Sequence, residues 1–378
     1  MKETTISQTF GHLVDPRMNR TKLHPLVNIL TISLCAIISG CDDFCTIEEY
    51  GKTKQTWFEE FLDMPHGIPS HDTFNDVLNR LNPSAFAQAF TDWVSQLVNL
   101  NKDIVAIDGK VLRGTLGKLS KCPALHLVNA WSVKNNLCLG QIKVSDKSNE
   151  ITAIPRLLAL LDIEGATITT DAMGCQFKIA NQIVKAKGDY VLALKGSQGE
   201  CFNDVQLFLN SQLEKKFENA HHSYFESIDG NHGRIEKRQV WVSTDVAWLH
   251  ERHPRWHSIK SIAVINSIRE QAEHISEEKR YFISSHNDKD AEFIAHAIRS
   301  HWHVENKLHW QLDISFNEDS LRLRSGHAAQ NIALMNKLAL NLLKNETSTK
   351  VGVKSKRLKA GWDNDYMMKV LNVGCLTV

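Results

Sequence analysis

Ile104-Val105-Ala106-Ile107-Asp108-Gly109 and Ala166-Thr167-Ile168-Thr169-Thr170-Asp171 are two short strand-forming runs, each delivering an acid at its end. Between them, Leu125–Val133 and Leu137–Val144 flank Asn135-Asn136, a hairpin signal, and Glu150–Leu161 has a helical period. After Asp171 a helix is predicted across about Phe177–Lys187, then a strand over Tyr190–Leu194. The order strand, strand, strand, helix, strand, helix, strand predicts an α/β sheet. A carboxylate leaving a buried strand sits at the rim of such a sheet, where ligands bind. Either Asp read alone makes a turn or caps the next helix. Two of them on neighbouring strands form the kind of pair that a hard cation takes, together with water and substrate phosphate.

A third acid should come from an element packed beside that sheet. Residues 288–313 have a long helical pattern in which His301, Glu305 and His309 share one face. Val304, Leu308 and Leu312, with parts of Trp302 and Trp310, supply an apolar stripe to pack on the sheet. The polar stripe reads either as a solvated helix face or as the support that brings Glu305 to both Asp residues.

Up to about residue 100 the pattern is helical. Leu23–Gly40 and Cys45–Leu62 are amphipathic or apolar, Ser70 or Asp72 caps a helix to Leu81, and Asn82-Pro83-Ser84 separates it from Ala85–Leu100. Residues 42–76 carry nine acids against Lys52 and Lys54, a poor electrostatic match for a phosphate backbone. Residues 205–286 carry β signal at Gly233–Ser243, Ile259–Ile268 and Arg280–Ser284, and a further helix is predicted at about Gly326–Leu343. The expected division is therefore 1–100 helical, 101–204 and 287–345 the two parts of the α/β core, 205–286 a β-rich insertion, and 346–378 a basic tail.

The 378 residues carry 44 basic and 43 acidic side chains, so net charge indicates no partner and any electrostatic footprint is local. Residues 299–359 supply it, with 11 Lys/Arg against five Asp/Glu. Only 8 Pro and 19 Gly argue against a disordered scaffold. Eight scattered cysteines with no CxxC pair, and no secretory signal, fit a reduced cytoplasmic chain. The most apolar segment, Leu26–Ile38, falls short of the roughly 20 residues that span a bilayer, so no membrane partner is expected. His250, His253 and His257 invite a zinc reading, but Pro254 places them in a loop, and the 301/305/309 face lacks the HExxH order.

The segment His301-Trp302-His303-Val304-Glu305-Asn306-Lys307-Leu308-His309-Trp310-Gln311-Leu312-Asp313, continuing through Phe316-Asn317-Glu318-Asp319, resembles the signature of the H-repeat-associated proteins, which are DDE-type insertion-sequence transposases. Ile107-Asp108-Gly109-Lys110, Thr170-Asp171-Ala172-Met173-Gly174-Cys175-Gln176, Lys195-Gly196-Ser197-Gln198-Gly199, His232-Gly233-Arg234-Ile235-Glu236 and Gly67-Ile68-Pro69-Ser70-His71-Asp72-Thr73-Phe74 fit the same family, over essentially the whole chain. The resemblance implies an RNase H-like catalytic core with a β-rich insertion, preceded by an all-α N-terminal domain. It also implies Asp108, Asp171 and Glu305 as a metal-binding catalytic triad for two Mg²⁺ or Mn²⁺ ions, Asp108 bridging both. Two such ions, roughly 4 Å apart, activate the nucleophile and stabilise the leaving 3′-oxygen of a phosphodiester.

The broader transposase group has a Tyr, an Arg and a Lys at fixed offsets around the catalytic Glu, which here fall on Ile298, His301 and Leu312; the H-repeat subgroup shares this departure. Arg299, His301 and Lys307 are the candidates to take over the phosphate contacts. Lys110, Arg113, Lys195, Gln198 and Arg234 are further DNA-contact candidates, each also readable as an ordinary surface or turn residue. Ser70–Arg80, with His71, Asn75, Asn79 and Arg80, is the candidate reader of the DNA end, against its acidic context. Lys350, Lys354, Lys356, Arg357 and Lys359 suit sequence-independent phosphate contacts or a solvated helix. The expected function is metal-dependent cleavage and strand transfer at the ends of a bacterial insertion sequence, by a homodimer on DNA in the nucleoid. A catalytically silent DNA-binding relic and a stand-alone metal-dependent nuclease compete with it.

Overall fold

The computed structural model describes residues 5–19, 22–117, 123–145, 148–218, 220–231, 234–271 and 274–373, the side chains of 231 and 234 excepted. Helix α1 (Thr5–Phe10) leads to α2 (Leu26–Ser39), which is buried along almost its whole length. Such a helix needs internal partners for its polar side chains. Asn28 Nδ2 donates to the Asp63 carbonyl (2.8 Å) and Thr31 Oγ1 to the Val27 carbonyl (2.7 Å). Around it pack α3 (Phe44–Thr53) and α5 (His71–Arg80), with α4 (Gln55–Glu59) and α6 (Pro83–Leu97) completing the N-terminal helices. Ser70, not Asp72, caps α5, and Asn82 caps α6 with Pro83 in its first turn. Among the described residues no single helix is long and apolar enough to cross a membrane.

Strands β1 (Ile104–Leu112), β2 (Leu125–Ser132) and β3 (Leu137–Lys143) form an antiparallel meander, and Asn136 takes φ +55° in the β2–β3 turn. Helix α7 (Glu150–Leu158) then crosses to β4 (Thr167–Thr170), and α8 (Phe177–Lys185) to β5 (Asp189–Leu194). Both β4 and β5 run parallel to β1. The predicted order therefore holds, with the helices ending two or three residues early.

Residue 205, the expected start of the β-rich segment, falls inside a helix, α9 (Glu200–Glu214). Four strands follow, β6 (His222–Asn231), β7 (Arg234–Ser243), β8 (Ser261–Gln271) and β9 (His274–Ser284), with α10 (Ala247–Arg252) between β7 and β8. Strand β6 has no counterpart in the sequence reading, because Glu226, Ser227, Asp229 and Gly230 disguise its alternation. Strand β9 pairs antiparallel with β5, so these strands are not a separate sheet: one nine-stranded sheet runs β3-β2-β1-β4-β5-β9-β8-β7-β6.

Helix α11 (Ala291–His303) lies across this sheet, packing Ile294, Ala297 and Ile298 on Val240, Ala263 and Phe282. It continues through a π-helical turn, Val304–His309, into α12 (Trp310–Phe316). Helix α13 (Ala328–Asn345) packs against α2, α5 and β3. Residues 346–373 are not an open basic tail: α14 (Val353–Trp362) packs on α2 and α13, and α15 (Asn364–Leu371) on α13 and α14. Arg357 is buried and donates to the carbonyls of Ile37 (2.6 Å) and Ile38 (3.1 Å), at the open C-terminal end of α2. Lys356 is buried too, and donates to the carbonyl of Leu343 (2.8 Å). Helix ends leave carbonyls unpaired, and these cations satisfy them; Lys350 and Lys354 alone of the five stay exposed.

Candidate active site

Ile107 of β1 stands opposite Thr170 of β4 in the parallel pair, so Asp108 and Asp171 sit side by side where that pairing ends; β1 itself does not stop at Asp108, as the sequence suggested, but runs on to Leu112 against β2. Asp171 Oδ1 accepts the N–H groups of Met173 (2.9 Å) and Gly174 (3.2 Å), which folds the loop after β4 over the strand end. The turn-making role anticipated for an isolated Asp is thus present as well. Gln198 Nε2 donates to the Ala172 carbonyl (2.9 Å) and ties the loop after β5 to the loop after β4.

The third acid arrives from the π turn. Widening the helix at Val304–His309 departs from the uniform 3.6-residue period, and such turns recur at functional sites. Val304, Leu308 and Leu312 are buried as expected, whereas Trp302 and Trp310 are 54% and 55% exposed and do not pack on the sheet. Glu305 accepts from His309 Nδ1 (3.0 Å), and Asn129 Nδ2 lies 3.3 Å from His309 Nε2. The ring therefore carries its proton on Nδ1 and presents it to Glu305. His309 Nδ1 is also 3.8 Å from Asp108 Oδ2, and one donor atom each from Asp108, Glu305 and His309 lie within 4.8 Å of one another. Asp171 stands outside that closest group but lines the same cleft of about 490 Å³, with Lys195, His301 and Trp302 on its walls.

Acids are concentrated here: among the described residues Asp108, Asp171 and Glu305 share a cleft with Lys195 on its wall, while Lys110 is already paired with Asp313 and Glu318. Burial pushes the Asp108 carboxyl up to about 7, against its bond from the Gly109 N–H, and the carboxylates of Glu150, Asp171 and Glu305 add to the rise. The His309 bond holds Glu305 below its usual range. Burial lowers His309, and lowers His301 to about 4, so both rings are neutral near pH 7. A rim of oxygen donors with an unbalanced negative charge suits a hard divalent cation better than zinc, which prefers His and Cys.

The expected DNA contacts divide. Lys195 is exposed on the cleft wall, and Arg113 and Lys307 are exposed nearby in the chain. Lys110 is corrected to an interior residue: it is 8% exposed and bonds Asp313 Oδ1 (2.5 Å), Glu318 Oε2 (3.2 Å) and the His309 carbonyl. His301 is turned inward onto Thr169 Oγ1 (3.1 Å), and Arg299 is paired with Asp229. Gln198 works as a loop tie. His232 and Gly233 lie outside the described residues, as does the Arg234 side chain. In α5, His71 bonds Glu48 Oε2 (2.7 Å), Arg80 pairs with Asp76 (2.7 Å), and Asn79 donates through Nδ2 to Asn75 Oδ1 (2.7 Å) while its carbonyl accepts the His327 N–H. That helix is committed to packing on α3 and α13. The zinc alternative also dissolves: His253 bonds Asp204 (2.7 Å) and His250 bonds the Ile259 carbonyl (2.6 Å).

A family model described as the transposase DDE domain matches residues 99–342, and one described as DDE_Tnp_1-associated matches residues 7–94. The chain belongs to the DDE transposase family. Among relatives of this transposase, "H repeat-associated putative transposase YhhI" of Escherichia coli K12 is 40% identical over 92% of both chains. "Putative transposase YncI" of Escherichia coli O157:H7 is 40% identical over 94% of this transposase and 92% of its own length. A Xanthobacter autotrophicus protein named only by its place in the dhlA 3′ region is 43% identical over 73% of this transposase and 93% of itself. A solved piggyBac transposase synaptic complex with hairpin DNA aligns over 97% of this transposase and 76% of that chain, at 11% identity and a TM-score of 0.42, too distant to argue from.

One residue of this site is absent from the triad read in the sequence: His309 was visible as part of a helical stripe, but its bond to Glu305 needs the π turn.

Proposed function

We propose that this transposase cuts DNA strands at the ends of its own bacterial insertion sequence and joins them to target DNA, on an RNase H-like core. What supports the reading is that Asp108 and Asp171, adjacent where the parallel strands β1 and β4 stop pairing, line one cleft with Glu305 from the π turn. Asp108, Asp171 and Glu305 would hold two divalent ions, Mg²⁺ or Mn²⁺, which supply activation of the attacking oxygen and stabilisation of the leaving 3′-oxygen. In cleavage, water's oxygen bonds to phosphorus as the bond to the 3′-oxygen breaks; in joining, that 3′-OH attacks a target phosphodiester and displaces its 3′-oxygen.

The chain's own residues orient and shield. His309 holds Glu305 in register with Asp108, and Lys110 holds the π turn to β1. Neutral His301 closes the floor of the cleft against Thr169 without adding charge. Lys195, Arg113 and Lys307 are placed to meet DNA phosphates, and two copies would each hold one element end.

The test is cleavage and joining of labelled DNA carrying the sequences that flank the gene, with Mg²⁺ or Mn²⁺, for wild type, Asp108→Asn and Glu305→Gln. Nicking at the element boundary, lost in both variants, is expected. Binding to those ends without nicking would replace this reading with a silent DNA-binding relic. Nicking without joining would make the protein a nuclease.

A further inference from the structure

We infer that Glu150 is a fourth acidic residue of this site, ligating a divalent cation beside Asp108 and Asp171 and oriented by His126; the inference rests on the proposed metal site. Along β1, side chains alternate between faces. Asp108 and Lys110 face the π turn, and the position between them, Gly109, faces the side on which α7 packs. There the carboxylate of Glu150, the first residue of α7, occupies the place a side chain would take. A Cβ at residue 109 would lie 2.0 Å from Glu150 Oε1 and 2.8 Å from His126 Nε2. Glycine thus opens a passage through which Glu150 approaches the main chain next to Asp108.

The carboxylate is held there. His126 of β2 bonds Glu150 Oε1 through Nε2 at 2.9 Å, leaving Oε2 without a hydrogen bond among the described residues. The charges agree with this placement. Glu150 is the strongest of the three carboxylates that raise Asp108, ahead of Asp171 and Glu305, and Asp171 is the strongest charge raising Glu150.

An acid in the first turn of a helix has a plainer explanation, attraction to the helix dipole. That attraction favours the ionised form and would depress its pKa. Glu150 is instead raised, by burial first, and the dipole offers no reason for a passage at Gly109. With all four ionised, as metal ligation requires, Asp108, Asp171, Glu305 and Glu150 would carry four negative charges. Lys110 is spent on Asp313 and Glu318, so two divalent ions would balance the set.

The test is a Mn²⁺ titration of the metal-free full-length protein, read by calorimetry and by electron paramagnetic resonance, with circular dichroism to verify folding. Wild type, Asp108→Asn, Glu150→Gln and Gly109→Ala are compared. Glu150→Gln is expected to weaken Mn²⁺ binding by at least about tenfold, and Gly109→Ala, which displaces the carboxylate without removing it, to do the same. Wild-type affinity in a folded Glu150→Gln protein, beside loss in Asp108→Asn, would overturn the role of Glu150 and leave the metal site standing. Equal Mn²⁺ binding by wild type and Asp108→Asn would overturn the metal site itself, and this inference with it.

Discussion

Lys110 Nζ, on β1, donates to the main-chain carbonyl of His309 at 3.2 Å, so the strand that carries Asp108 also grips the turn that carries Glu305. The same ammonium reaches Asp313 and the fully buried Glu318, which Lys337 contacts from α13 at 3.4 Å. Removing one partner of a buried ion set leaves the rest uncompensated. Lys110→Met is expected to cost about 3 kcal/mol in urea unfolding. It should also weaken Mn²⁺ binding, because the π turn loses its anchor.

Asp108 gives the metal-free protein a characteristic pH dependence. Its folded pKa of about 7 lies above the ordinary value of about 3.9. The unfolded chain therefore releases this proton first. The stabilisation from the protonated folded carboxyl is complete below about pH 4 and is lost as pH rises through about 7. Glu150, also raised, acts in the same direction. In urea unfolding with chelator present, Asp108→Asn should flatten that slope and be more stable than wild type at pH 8. Added Mn²⁺ should restore wild type at pH 8 and have little effect on the variant.

His309 is predicted to act through Glu305. His309→Gln removes the Nδ1 proton that Glu305 accepts, and losses of such supporting bonds at metal sites run to about 10–100-fold. Both Mn²⁺ affinity and the nicking rate should fall by that factor while element-end binding persists. An unchanged Mn²⁺ affinity would show that Glu305 needs no orienting partner.

The C-terminal cations divide by burial. Arg357 caps α2 and lies 4.2 Å from the Phe316 ring centroid, so Arg357→Ala should lower stability by about 2–3 kcal/mol. Exposed Lys354 should change stability by less than about 0.5 kcal/mol on truncation to Ala. Thermal and urea unfolding separate them. If Lys354 meets phosphate, its loss should reduce the salt dependence of DNA binding by about one unit in the slope.

Much of the site was legible because local patterns carry it. A β-prone run leading to an Asp needs no tertiary information, and it occurs twice, at Asp108 and Asp171; that β1 continues past Asp108 to Leu112 is set by its pairing with β2. The apolar positions Val304, Leu308 and Leu312 announced which side of the Glu305 helix would be buried. The cations were harder to read. Lys110, Lys356 and Arg357 look like surface charges in a string of letters, yet each is buried against carbonyls or carboxylates of another element, for Lys110 and Arg357 one far along the chain. No periodicity records such a partner.

The sequence by itself determined the strand and helix order from β1 to β5, the two acids Asp108 and Asp171 on neighbouring strands, and the family, since these depend on side-chain alternation and contiguous motifs. Only the tertiary structure decided that β9 joins β5 in one nine-stranded sheet, that the helix widens at Glu305, and that Glu150 enters beside Asp108 over Gly109. The physical reason is that these features depend on contacts between distant segments. Burial and charge there arise from what the fold brings together, not from neighbours in the chain.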